Sequence, residues 1–173
     1  MRGSPELPRF ELRPPTIEET HLVLGFIKEL AEYEHLSHEC LITEESLRAS
    51  LFNERPHAES LLAFVDEKPI GFCLYFFNYS TFLGKPGLYL EDLYIQPEFR
   101  NKGFGKQILS HLASIALERG CGRFEWAVLD WNEPSIAFYR KIGAEPMNDW
   151  TVQRLTGHAL EDLSRFPKIN NDA

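Results

Sequence analysis

The sequence predicts a mixed α/β fold, a central sheet flanked by helices, and three observations carry that prediction. Strand-type and helix-type segments follow one another in the order β-α-α-β-β-β-α-β-α-β. In the middle of the chain, Leu88 to Ala116 reads as strand, glycine loop and helix, and a further strand after it closes a β-α-β crossover. A length of 173 residues with 43% hydrophobic and 13% aromatic content suits one domain with a full core and excludes a disordered chain.

Taken in order, residues 1–8 hold two prolines and no periodicity and are expected to be a poorly ordered leader. Residues 9–166 are expected to form a single domain, with 167–173 as a tail. Phe10 to Arg13 reads as a short first strand, broken by Pro14-Pro15. Thr16 with Glu19 makes a capping box for a helix that carries Ile17, Leu22, Leu24, Phe26, Ile27 and Leu30 and ends near Tyr33. A second helix is expected over 43–52, then a polar loop over 53–59 containing Pro56. Residues 61–65 and 70–79 read as strands joined by the turn Asp66-Glu67-Lys68-Pro69, with a loop over 81–87. The strand at 88–95 is bulky and apolar and stops at Pro97, and Ile108, Leu109, Leu112, Ala113, Ile115 and Ala116 then recur at helical spacing as far as Gly120. A strand is expected at 124–129. A short helix follows at 133–142, with Pro134 in its first turn and Gly143 beyond its end. Residues 150–155 read as a last strand and 159–166 as a closing helix.

Between the central strand and its helix lies Arg100-Asn101-Lys102-Gly103-Phe104-Gly105-Lys106. Two glycines just ahead of a helix let backbone N–H groups approach an anion closely, and the helix N-terminus adds partial positive charge. The loop therefore reads as a phosphate cradle; the alternative is an ordinary strand-to-helix turn with surface cations. It is not a Walker loop, whose spacing fails here and whose Ser or Thr is replaced by Gln107. Nor is it a dinucleotide fingerprint, which needs a small residue where this chain has Ile108.

A net charge of −8 argues against nucleic acid as a partner and is compatible with a small cationic substrate. No apolar run reaches the roughly 18 residues of a membrane span, and the N-terminus lacks a signal-peptide pattern, so a soluble cytoplasmic protein with no membrane partner is expected. Cys40, Cys73 and Cys121 form no pair pattern, and the six histidines show no ligand spacing, so neither disulfide nor metal is expected.

The Arg-x-x-Gly-x-Gly loop after a strand resembles the pyrophosphate loop of the GNAT acetyltransferases. A second motif strengthens the resemblance: Asn132-Glu133-Pro134-Ser135-Ile136-Ala137-Phe138-Tyr139-Arg140-Lys141-Ile142-Gly143-Ala144 is similar to that family's later helix. Ile27-Lys28-Glu29-Leu30-Ala31-Glu32-Tyr33-Glu34, Leu88-Tyr89-Leu90-Glu91-Asp92 and Trp131-Asn132-Glu133-Pro134-Ser135 look like the spermidine/spermine (diamine) N-acetyltransferase group. Leu93-Tyr94 departs from that group, which usually has two aromatics there. The resemblance implies the GNAT fold, with a mixed sheet split by the cofactor, and acetyl-CoA as cosubstrate. Cofactor-binding residues would be Leu93, Tyr94, Ile95, Arg100, Asn101, Lys102, Gly103, Phe104, Gly105, Lys106, Asn132, Glu133, Pro134, Ser135 and Tyr139. Tyr33, Glu34, Glu91, Asp92, Glu125, Trp126 and Ala127 would line the amine site. A homodimer is implied as well, in which Tyr33 and Glu34 serve a site shared with the other subunit.

Acetyl transfer to an amine needs a held thioester, a neutral amine and help for the departing thiolate. An alkylammonium with pKa about 10.4 pays roughly 4 to 5 kcal/mol to lose its proton at neutral pH, so a base or water path is useful. Glu91 and Asp92 are adjacent on a strand and so point to opposite faces, Glu91 with Leu93 and Ile95, Asp92 with Leu90 and Tyr94. The position matching Glu91 in the similar group is a candidate water-mediated base; the alternative is that both acids mark an exposed edge or pair with a local Arg. Tyr139 is the candidate acid, since a phenol can hydrogen-bond a leaving thiolate; the alternative is a core aromatic. Asn132 can cap a helix, hold the pantetheine arm, or both. Backbone groups of Leu93 to Ile95 would pair with pantetheine as an added strand would. The leading reading is an N-acetyltransferase acting on a polyamine or related diamine by direct attack in a ternary complex. Alternatives keep the cofactor with a thialysine-like, lysine-like or protein amine, or make the chain a non-catalytic CoA-binding sensor.

Overall fold

The computed structural model describes residues 9–166; the leader expected over 1–8 and the tail over 167–173 lie outside the described residues. The chain forms two compact units, divided between Ala127 and Val128.

The first unit is built on a five-stranded mixed sheet, β1 Phe10–Arg13, β2 Glu59–Val65, β3 Lys68–Ser80, β4 Lys85–Ile95 and β5 Arg123–Trp126, in that spatial order. Neighbours are antiparallel except β4 and β5, which run parallel and are joined through the helix α3, Phe104–Glu118. This is the crossover expected from the sequence. Two helices, α1 Thr20–Tyr33 and α2 Glu44–Leu51, separate β1 from β2. The expected capping box at Thr16 and Glu19 is present, but it opens a single tight turn, Ile17–Glu19, ahead of α1. Arg13 closes that corner: its Nη1 and Nη2 each donate to the Glu19 carboxylate at 2.7 Å and hold it down at about 2. Thr43 caps α2, accepting from the Ser46 amide at 3.1 Å. The β2–β3 turn is tighter than expected. Asp66 and Glu67 both adopt positive φ, 49° and 65°, as a two-residue hairpin requires, and Lys68-Pro69 already belong to β3.

Register decides the faces of this sheet. Leu74 pairs with Asp92 while Tyr75 pairs with Leu90, so Glu91 is the extra residue of a β-bulge in β4. Beyond a bulge the alternation of side chains is shifted by one. Phe72, Leu74, Phe76, Tyr89, Asp92 and Tyr94 therefore share one face, and Cys73, Tyr75, Leu88, Leu90 and Leu93 the other. The expectation that Asp92 lies with Leu90 is corrected, because plain alternation cannot anticipate an inserted residue. On the first face α1 and α2 pack Val23, Phe26, Leu30 and Leu47 against Leu62, Phe72 and Tyr94. The helix α3, which buries Ile108, Leu109 and Leu112, lies over the second. At its end Arg119 sits 5.3 Å over the Phe77 ring and 3.8 Å from Glu59, both on that face.

The second unit carries two short helices, α4 Glu133–Lys141 and α5 Gly157–Ser164, and neither holds a buried residue. The strand at 124–129 is shorter than expected, ending at Trp126. The strand expected at 150–155 does not form; those residues lie outside any helix or strand and are exposed. The alternation of Trp150 and Val152 suits a strand, but a strand also needs a partner for its backbone groups, and among the described residues none pairs with it. No helix among the described residues is long and apolar enough to cross a membrane.

Candidate active site

In the first unit the glycine loop leaves β4 at Ile95, makes a single turn at Pro97–Phe99 and enters α3. Asn101 and Gly103 carry φ of 60° and 88°, and Gly103 caps α3. The first intrahelical bond runs from the Gln107 N–H to the Gly103 carbonyl at 3.1 Å, so the N–H groups of Phe104, Gly105 and Lys106 precede it, the usual condition for anion capture. A Cβ at Gly103 would meet nothing within 4 Å, and one at Gly105 only Ile95 Cδ1 at 3.7 Å. Left-handed backbone demands glycine at 103, whereas at 105 the protein alone has room for a larger residue. Space beside both glycines suits a phosphate group, which is the fit a CoA pyrophosphate needs. Lys102 stands 5.2 Å over the Phe99 ring. Arg100 turns back to the sheet, its Nε donating to the Ile95 carbonyl at 2.8 Å.

The edge of β4 supplies the second element. Its pairing with β5 covers Gly87 to Leu90 only, while its pairing with β3 continues to Ile95. Among the described residues no strand covers Leu93, Tyr94 and Ile95 on the β5 side. Backbone groups there can accept an extended, amide-bearing ligand as an added strand.

The third element is an acidic face that the bulge assembles. Asp92 comes to the same side as Tyr89, and because Tyr89 pairs with Glu125, that carboxylate joins them. Glu34, at the end of α1, faces the same group. Burial pushes the Asp92 carboxyl up to about 6, aided by the nearby charges of Glu91 and Glu34. Burial also raises Glu34. The Tyr89 hydroxyl is raised by burial, then by Glu91 and Glu125. Glu125 is partly neutralised by Arg123 Nε at 2.9 Å and receives the Asn78 amide at 3.4 Å. Glu91 itself is exposed on the bulge. Trp126 pairs with Leu90 and so lies on the opposite face, and exposed Ala127 follows the end of β5. Tyr89 is the residue that sequence reasoning missed; alternation separates it from Asp92, and only the bulge reunites them.

In the second unit Asn132 caps α4, its Oδ1 accepting from the Ser135 amide at 3.4 Å, with Glu133 and Pro134 in the first turn. Asn132, Ser135 and Tyr139 succeed one another at helical spacing, so they line one side of α4. Tyr139 is half-buried beside Phe138, ring centroids 5.5 Å apart. Gly143, with φ of 90°, ends the helix, and the Ala144 amide donates back to the Tyr139 carbonyl at 3.0 Å.

Comparison with known proteins gives the family that this chain resembles. The acetyltransferase (GNAT) family matches residues 27–144. The thialysine N-epsilon-acetyltransferase of Sus scrofa is 40% identical over 153 residues, 82% of this chain and 89% of its own. The L-ornithine N5-acetyltransferase NATA1 of Arabidopsis thaliana is 30% identical over an alignment of 203 positions, gaps included, that covers 91% of this chain and 88% of its own. Among solved structures, an integron cassette protein from the mobile metagenome of V. cholerae superposes with a TM-score of 0.76 at 26% identity, covering 90% of this chain and 98% of its own.

Proposed function

The chain belongs to the GNAT acetyltransferase family and is an acetyl-CoA-dependent amine N-acetyltransferase, and we propose that its acceptor is the primary amine at the end of a short cationic chain, such as thialysine. The observation that carries this reading is the half-buried Asp92 carboxyl, which shares a sheet face with Tyr89 and Glu125 and is raised by burial and by the charges of Glu91 and Glu34. Crowded carboxylates cost the folded state free energy, and an ammonium group would relieve that cost. The relatives named for thialysine and ornithine support an amino-acid amine over the polyamine that leads the sequence reading.

In this reading acetyl-CoA supplies the thioester, and the chain's own groups do the rest. Amides of Phe104 to Lys106, with Lys102 and Lys106, hold the pyrophosphate, and the Leu93 to Ile95 edge holds the pantetheine arm. Asp92 and Glu34 anchor the acceptor's charge, Glu91 takes the amine proton through water, and the Tyr139 hydroxyl hydrogen-bonds the departing thiolate. Residues 9–166 act as one acetyltransferase domain that works as a homodimer; a monomer-sized particle in sedimentation would reject the dimer.

The sign of the Asp92 shift sets the test. Its native pKa, about 6, exceeds the ordinary 3.8, so the native state binds its proton more tightly than the unfolded chain does. The resulting penalty on stability is absent below pH about 4 and complete above about 6. Asp92→Asn should therefore raise the melting temperature at pH 8. Across a panel of thialysine, ornithine, spermidine and neutral-tail amines, kcat/KM for the cationic acceptors should fall as pH drops through about 6, and Asp92→Asn should remove that limb. Preference for neutral-tail amines, or an unchanged limb in the variant, would reject Asp92 as the anchor. Failure to acetylate any amine of the panel would reject this acceptor class.

A further inference from the structure

The first residue of the glycine loop makes contacts that a phosphate ligand does not need. Arg100 Nε donates to the Ile95 carbonyl at 2.8 Å, the last residue of β4. Its guanidinium lies 4.5 Å from the centroid of Tyr33, in the final turn of α1, and 5.3 Å from that of Tyr94 in β4. Both distances are within the range of a cation–π contact. Tyr94 in turn packs on Phe26 of α1 at 6.3 Å, and Phe26 stacks on Phe72 of β3 at 6.2 Å. One planar cation thus spans the end of a helix, the end of a strand and the start of the loop. Tyr33 is followed directly by Glu34, which caps α1 and bears on Asp92.

We propose that Arg100 is a positioning residue for the amine acceptor, clamping the end of α1 through Tyr33 to the end of β4 so that Glu34 is held toward Asp92. This rests on the acceptor reading above. The pyrophosphate is left to the loop amides, Lys102 and Lys106. Arginine suits the clamp because its rigid plane can stack on a ring while one N–H bonds a carbonyl; a lysine ammonium, a hydrated point charge on a flexible stem, does not reproduce both contacts.

The test measures CoA affinity by calorimetry alongside KM and kcat for the best amine of the panel. Arg100→Met and Tyr33→Leu should each raise amine KM about tenfold with CoA affinity within about threefold. The double variant should be no worse than Arg100→Met, because both break one contact. Arg100→Lys should not rescue KM. A tenfold or greater loss of CoA affinity with unchanged amine KM would make Arg100 a phosphate ligand and overturn the proposal. Additive effects in the double variant, or rescue by lysine, would overturn it too. Should Arg100→Met fail to fold, Tyr33→Leu decides from the other side of the contact. A wild type inactive on every amine overturns the acceptor reading and this proposal with it, whereas an active wild type whose Arg100→Met variant keeps its amine KM overturns the proposal alone.

Discussion

Up to Ala127 the chain buries Val23, Leu62, Phe72 and Ile108 completely, whereas from Val128 onward Asn132 is the single buried residue among those described. In the later segment Trp150, Val152, Leu163 and Phe166 are 72%, 84%, 58% and 74% exposed. Each unit thus rests on a different kind of interaction. The sheet unit stands on apolar area removed from water, worth roughly 25 cal/mol per Å². Helix α4, which carries Tyr139, stands on local chemistry: the Asn132 cap, Pro134 in the first turn and Gly143 after the last. A large effect of a substitution therefore means packing in one unit and chemistry or capping in the other.

The sharpest test of that contrast is Tyr139→Phe. A half-buried ring in a unit without a core should lose little stability with its hydroxyl, while kcat should fall by about 10² to 10⁴, the range for a positioned acid or base. Turnover within a factor of two of wild type, under conditions where chemistry is limiting, would return Tyr139 to a packing role. Next in size is a matched pair of truncations. Phe72→Ala in the sheet core should cost about 3 to 5 kcal/mol in chemical denaturation. Leu163→Ala on exposed α5 should change stability by less than about 0.5 kcal/mol. A comparable cost at Leu163 would contradict its exposure.

Gly105→Ala comes third and separates ligand from fold. The added Cβ meets only Ile95 Cδ1 at 3.7 Å and lies inside α3, where Ala is about 1 kcal/mol better than Gly. Melting temperature should hold or rise while CoA affinity drops about tenfold, because in the proposed cradle the new methyl takes space left for the phosphate. Undiminished affinity by calorimetry would take the loop out of cofactor binding. The smallest expected effect is Asn132→Ala, which should weaken α4 by about 1 kcal/mol. Amide exchange should quicken in α4 and stay unchanged in β3; equal acceleration in both would mean that the cap supports the sheet as well.

Local sequence determined a good deal of this protein. Thr43, Asn132 and Gly143 end or begin helices because their side chains or backbone freedom satisfy the orphan groups of the neighbouring turn. Asp66 and Glu67 mark the hairpin between two apolar runs, and the paired glycines mark the loop where an anion can meet backbone N–H groups. The two motifs around Gly103 and Asn132 carry the family in the same local way. Three features were out of reach of such reasoning. The alternation at Trp150 and Val152 looked like a strand, but a ladder requires a partner, and pairing is a property of two segments. The Arg100 side chain could have served any anion, and only the meeting of β4 with α1 turned it onto Tyr33 and the Ile95 carbonyl. Above all, the acidic face depends on one residue more in β4 than in β3 between paired positions. Side chains alternate with period two, so a single inserted residue carries everything beyond it to the other face. The identities of Tyr89, Asp92 and Glu125 are written in the sequence; that they share a face is settled by register between strands.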